Sequence, residues 1–105
     1  MPTLDDVKQW IDRDVRPRRW RIEIAKESDR EVTIHVTGRK YIFTVSASLE
    51  DDYLGCMCRT RFNVPGKGHP LFADLPDGKL SEETWQAILT DMKQMEVQPY
   101  RWPAM

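Results

Sequence analysis

Residues 32–45 read VTIHVTGRKYIFTV and carry the clearest folding signal in the chain. Apolar and polar side chains alternate over 32–36, and large apolar residues recur at every second position over 41–45, on the other side of Gly38. A period of two with many β-branched and aromatic residues is typical of strands that bury one face. The segment therefore predicts two antiparallel strands joined by a hairpin turn.

The predicted turn between these strands takes its type from a glycine. Gly38 stands at the first central position of the motif TGRK, which is the signature of a two-residue type II′ loop. Such a loop pairs Thr37 with Lys40 and sets Ile34 opposite Phe43. The apolar residues of both strands then share one face, which a slip by one residue would prevent.

Two further runs have the same period of two. Tryptophan and isoleucine alternate with charged residues over 19–24, and a loop at 27–29 would set Ile24 opposite Val32. Over 53–62, leucine, cysteine and phenylalanine share one parity while the arginines share the other. These runs predict a first and a fourth strand.

The segment 63–80 has no periodicity and contains three prolines and three glycines. We therefore predict a long loop without secondary structure. Connections of that length in a small domain are usually functional or mobile.

Capping signals predict one helix before the strands and one after them. Thr3 precedes an apolar stripe over 4–15 and has Asp6 at the capping-box position, and Pro17 ends this helix. Ser81 precedes the second helix. Its apolar stripe consists of Trp85, Ile88, Leu89, Met92 and Met95.

The element order predicted from these signals is α-β-β-β-β-α. It indicates an α+β fold, with a four-stranded antiparallel meander sheet and two helices on one face. We expect a single domain over residues 1–98 and a C-terminal tail over 99–105.

Composition excludes several classes of protein. The chain has 105 residues and a formal net charge of -1, with 31% charged and 40% hydrophobic residues, which is typical of an ordinary globular domain. It contains no apolar run near the ~20 residues that cross a bilayer. The acidic N-terminus lacks the layout of a signal peptide, and two cysteines do not make a disulfide framework. We therefore expect a cytoplasmic protein without a membrane partner.

Parts of the C-terminal half resemble a known group of sequences. The motifs YLGC at 53–56 and DLPDG at 74–78, followed by SEETW at 81–85, are similar to segments of small uncharacterised proteins from phages and bacteria. This resemblance implies a phage or mobile-element origin. It implies no activity.

A basic sheet face is the main candidate site. The predicted alternation turns Arg19, Arg21, His35, Arg59 and Arg61 away from the helices, and residues 16–21 hold four arginines. One interpretation is an ordinary solvated face, as antiparallel sheets commonly have. The other is a cationic platform for an acidic protein surface or for phosphates.

The predicted loop and tail supply further candidate contacts. Lys67 and His69 lie in the glycine-containing part of the loop, and Trp102 lies in the tail without a core stripe to explain it. Long loops present side chains without core constraints, and tryptophan is enriched in binding hot spots. We include these three residues in the predicted binding surface.

Metal binding and catalysis find weaker support in the sequence. A structural zinc site needs four ligands, and Cys56 and Cys58 offer two of them. Only His35 and His69 could supply the other two, and His35 is predicted on the opposite face of the sheet. We therefore predict no metal and no cofactor. Glu23 and His35, with an arginine, have the chemistry for metal-independent RNA cleavage, but no catalytic residue is assigned.

These observations lead to a principal functional hypothesis and two alternatives. The principal hypothesis is a small non-enzymatic binding protein, a phage or mobile-element factor that docks on a host protein and inhibits it. The first alternative is a nucleic-acid-binding module that uses the basic sheet face, and the second is a small ribonuclease. The oligomeric state stays open, a dimer included.

Overall fold

A computed structural model describes residues 2–63 and 71–97, with the backbone alone for 71–78. Two helices and five strands make up this part of the chain, and a single 3-10 turn at Arg16–Arg18 follows the first helix. Their bounds are α1 Leu4–Val15, β1 Arg21–Glu27, β2 Glu31–Thr37, β3 Tyr41–Leu49, β4 Leu54–Phe62, β5 Leu71–Lys79 and α2 Glu82–Val97.

The strands form one antiparallel sheet in the order β1-β2-β3-β4-β5. The predicted α+β class, the first four strands and both helices are confirmed. The predicted loop over 63–80 and the count of four strands are wrong, because Leu71–Lys79 adds a fifth strand. This strand lies at the edge of the sheet, where a proline such as Pro76 does not interrupt pairing with a second neighbour.

The registers of the first two hairpins differ from the predicted ones by two residues. Thr37 pairs with Ile42 rather than with Lys40, and Ile24 pairs with Ile34 rather than with Val32. Because side chains alternate with a period of two, a shift of two residues keeps every side chain on its predicted face.

The turn between β2 and β3 has a different cause from the one predicted. The backbone N–H of Gly38 donates to the carbonyl of Tyr41 at 2.9 Å, so Arg39 and Lys40 are the central residues. The carboxylate of Glu96, near the end of α2, accepts hydrogen bonds from the backbone N–H groups of Arg39 at 2.7 Å, Lys40 at 3.1 Å and Tyr41 at 2.9 Å. A helix residue distant in sequence therefore holds this turn.

Glycine at position 38 leaves room for this carboxylate. A Cβ atom built on Gly38 would lie 2.6 Å from Cδ of Glu96, closer than real Cβ atoms approach a neighbour. On the other side of the turn, Asn63 donates from its backbone N–H to the carbonyl of Lys40 at 2.8 Å and from its side chain to the carbonyl of Gly38 at 3.0 Å. We call the turn 38–41 with Glu96 and Asn63 the turn clamp.

The first helix begins as predicted, with a reciprocal capping box. The backbone N–H of Asp6 donates to Oγ1 of Thr3 at 3.1 Å, and that of Thr3 donates to Oδ2 of Asp6 at 2.8 Å. Both helices pack on one face of the sheet and share one core with it. The helix residues buried there are Val7, Ile11, Val15, Trp85, Ile88, Leu89 and Met92.

A polar junction joins the two helices beside this core. Oδ2 of Asp14 accepts hydrogen bonds from the indole N–H of Trp85 at 2.7 Å and from the side chain of Gln86 at 3.0 Å. Arg13 bonds Asp14 at 2.8 Å and Glu82 at 3.1 Å. These bonds, that from Arg13 foremost, lower the pKa of Asp14 to about 2, although partial burial opposes the shift.

Candidate functional site

The candidate site is the side of the sheet opposite both helices, which we call the open face. Phe43 is buried on the helix side, and its neighbour Thr44 lies on the open face, as the alternation predicts. The open-face residues of the first four strands include Arg21, Glu23, Thr33, His35, Thr37, Ile42, Thr44, Ser46, Met57, Arg59 and Arg61.

The strand register aligns the charged residues of the open face in two rows. The first row contains Arg21, Thr37, Ile42 and Arg61, and the second contains Glu23, His35, Thr44 and Arg59. Since neighbouring strands lie ~4.8 Å apart, the Cα atoms at the two ends of a row are roughly 14 Å apart. The first row therefore has one arginine at each end, with Thr37 and the apolar Ile42 between them.

The arginines at the end of α1 and in the following 3-10 turn differ in their ion pairs from those of the open face. Arg13 pairs with Asp14 and Glu82, and Arg16 pairs with Asp12. Arg21 and Arg61 are exposed, and neither has an ion pair with the described side chains of residues 2–63 and 79–97. The open face thus presents guanidinium groups that are available to an acidic ligand.

Charge on the open face changes sign from one end to the other. The basic end lies at the β2–β3 turn, where Arg39 and Lys40 adjoin the row of Arg21 and Arg61. The opposite end lies at the β3–β4 turn. Its acidic residues are Glu31, Glu50, Asp51 and Asp52, of which Glu31 pairs with Lys26 at 2.6 Å.

The observed register brings together a carboxylate and an imidazole on the open face. Glu23 lies directly opposite His35, whereas the predicted register set Arg21 there. Nδ1 of His35 and Oγ1 of Thr44 are 2.9 Å apart, so this hydrogen bond occupies one ring nitrogen and leaves Nε2 for a ligand. Directly opposed side chains on an antiparallel pair have Cβ atoms about 5 Å apart.

Four of the predicted site residues do not lie on the described strands of the open face. Arg19 does not belong to the sheet, because it ends the 3-10 turn in the left-handed conformation, with φ 64°, before β1 begins. Its predicted place on the strand is therefore wrong, although the residue is exposed. Lys67, His69 and Trp102 lie outside the described residues.

The two cysteines lie on the helix side of the sheet. Cys58 is buried and Cys56 is half-buried, and burial raises the pKa of the Cys56 thiol to about 12 and that of Cys58 to about 11. Both are therefore protonated thiols at neutral pH, which are poor nucleophiles and poor ligands. Within residues 2–63 and 71–97, no three histidine, cysteine or acidic side chains form a group that could hold a metal ion.

Neither described helix is both long and apolar enough to cross a membrane. No protein-family model, no curated protein and no solved structure matches this chain. Its function must therefore be argued from the open face itself.

Proposed function

We propose that this protein is a non-enzymatic binding module whose open face docks on an acidic patch of a partner protein. The observation that carries the proposal is the contrast between arginines. Arg13 and Arg16 are neutralised by neighbouring carboxylates, whereas Arg21 and Arg61 have no ion pair with any described side chain. Charge-assisted bonds from arginine to carboxylate are among the strongest polar contacts at interfaces.

Two features favour a protein over a nucleic acid as the ligand. Ile42 lies between Arg21 and Arg61, which gives the row the apolar centre and arginine rim of a protein interface. The acidic end of the open face would repel a phosphate backbone that continued along the strands.

The resemblance to phage and bacterial proteins favours a bacterial host protein as this partner, and inhibition of that protein as the result of docking. A cytoplasmic site of action follows from the same hypothesis. Nucleic-acid binding is the competing outcome. In that case nuclease treatment would abolish capture of the partner, whereas a direct protein contact would survive it.

Charge reversal on the open face tests the binding proposal. We expect Arg21→Glu/Arg61→Glu to lose the partner that the wild-type chain captures from host lysate, because two guanidinium groups become carboxylates. The matched control is Arg18→Glu, which changes an exposed arginine of the 3-10 turn away from the open face. The measurement is affinity purification with mass spectrometry, with and without nuclease.

Two results would contradict the binding proposal. Equal capture by the double variant and by wild type would show that the open face is not the contact surface. Capture that disappears on nuclease treatment would assign the face to nucleic acid instead.

A second candidate function, RNA cleavage, is favoured by the direct opposition of Glu23 and His35. In this reaction the carboxylate of Glu23 takes the proton of a ribose 2′-hydroxyl, whose oxygen attacks the adjacent phosphorus. The protonated ring of His35 donates its Nε2 proton to the leaving 5′-oxygen, and a 2′,3′-cyclic phosphate forms. Arg59, next to Thr44 in the same row, would offset the phosphate charge.

Purified variants decide whether this chemistry occurs. If the protein cleaves RNA, we expect His35→Ala to reduce the rate by about a hundredfold or more, which is the usual size of a lost general acid. Thr33→Ala, which changes another open-face residue of β2, is the control for nuclease contamination. Cleavage that persists unchanged in His35→Ala would eliminate this candidate.

A further inference from the structure

We infer that the exposed edge of β1 pairs with β1 of a second copy of this chain. The two strands would run antiparallel about a twofold axis at Ile22 and join the two sheets into one. The inference does not depend on the docking proposal, although the edge of β1 and the open face share Arg21.

The β1 strand is the first strand of the sheet, and within residues 2–63 and 71–97 it pairs only with β2. Its regular stretch is bounded on both sides. Before it, Arg19 has a φ of 64°, and after it the ladder shifts register between Ile24 and Lys26, where Ala25 forms a bulge. The left-handed residue precedes the start of pairing and the bulge interrupts its regular register, so residues 21–24 form a short regular edge whose outer backbone groups have no partner in the described part of the sheet.

The charges on this edge complement those of an antiparallel copy. In the pairing centred on Ile22, Arg21 lies opposite Glu23 of the second copy, and the symmetry makes the same contact twice. Both residues are exposed and lie on the open face. Opposite charges placed directly across two strands stabilise the pair.

The other side of the same edge is apolar and also matches itself. Ile22 would meet Ile22 of the second copy, and Ile24 would meet Trp20. Ile24 is 48% exposed, an unusual state for isoleucine, and it lines a groove of about 690 Å³ beside α1 together with Ile22 and Ile34. Pairing would cover this exposed apolar surface.

Neighbouring registers do not share this complementarity. A shift of the axis to Glu23 would place Glu23 opposite Glu23 of the second copy. A shift to Arg21 would place Arg21 opposite Arg21 of the second copy. Like charges directly opposite each other destabilise a strand pair. Charged edge residues normally discourage association, but here their order selects one self-pairing register.

The test measures the mass of the full chain by sedimentation across protomer concentrations from about 10 µM to about 500 µM, since a short interface predicts a weak dimer. We expect Arg21→Glu and Glu23→Arg each to weaken the dimer by about tenfold or more, because each sets like charges against each other. The swap Arg21→Glu/Glu23→Arg restores opposite charges and is expected to recover the dimer.

Two further variants complete the experiment. Arg61→Glu lies on the open face away from the edge and is expected to leave the dimer unchanged, and Ile24→Lys is expected to abolish it. A chain that stays monomeric at the highest concentration would overturn the inference. So would a dimer that both single charge changes leave intact, or that the double swap fails to recover. Ile24→Lys changes the edge without changing the open face, and Arg61→Glu does the reverse. Failure of the dimer is therefore distinguishable from failure of docking.

Discussion

Gly38→Ala is expected to lower the free energy of unfolding by about 2–3 kcal/mol, a large effect for a hairpin turn. The new Cβ atom would lie 2.6 Å from Cδ of Glu96, so the carboxylate must shift away from its position in the turn. The backbone N–H groups of Arg39, Lys40 and Tyr41 then lose their shared acceptor. Urea denaturation of the two proteins measures the difference.

A double-mutant cycle separates this cause from ordinary effects of glycine replacement. Glu96→Ala alone is expected to cost about as much as Gly38→Ala, because both remove the same carboxylate from the turn. Once Glu96 is absent, alanine at position 38 should cost little further. If the two losses of stability simply add, the turn clamp is not the reason for this glycine.

Asp14→Asn is expected to flatten the acid dependence of stability. The pKa of Asp14 is about 2 in the folded protein against an ordinary value of 3.8, so this carboxylate stabilises the fold fully above pH 3.8. That stabilisation is lost as pH falls from 3.8 towards 2, since the unfolded chain takes up the proton first. We expect the loss to amount to about 1–2 kcal/mol in the wild type.

Thermal unfolding across this pH range is the measurement for Asp14→Asn. At neutral pH the variant should itself be less stable, because the amide accepts weaker bonds from Arg13 and Trp85 than the carboxylate does. The exposed Asp29 provides a control, and Asp29→Asn should keep the acid slope of the wild type. An unchanged slope in Asp14→Asn would contradict the assigned role.

Local signals in the sequence predicted the elements that depend on local physics. The capping box of Thr3 and the alternation over 32–45 correspond to α1, β2 and β3. The register was not available from the same pattern, because an alternation with a period of two repeats itself after a shift of two residues. Glu96, which holds the turn, lies more than fifty residues away, and nothing near Gly38 signals it.

The fifth strand escaped prediction because it lacks the features on which strand prediction depends. Pro76 and Gly78 interrupt Leu71–Lys79, and the ladder with β4 shifts register between Gly55 and Met57. At an edge, pairing with one neighbour is enough to hold an irregular strand. Such a strand is defined by the strand beside it rather than by its own periodicity.

The composition of the open face followed from alternation alone, but its arrangement did not. Parity placed Arg21, His35 and Arg61 on one face, and the observed sheet agrees. The register decides which residue of β1 lies opposite His35, and in the structure it is Glu23 rather than Arg21. Arg19 departs from the strand because its backbone turns left-handed, a conformation that no pattern of side chains predicts for arginine.

The position of α2 after the whole sheet has a consequence for synthesis on the ribosome. All five strands emerge before the helix that covers part of their apolar side with Trp85, Ile88 and Met92. A nascent chain that has emerged only through β5 therefore exposes apolar sheet surface that α1 does not cover. Chaperones bind such intermediates, and the emergence of α2 would displace them by covering that surface.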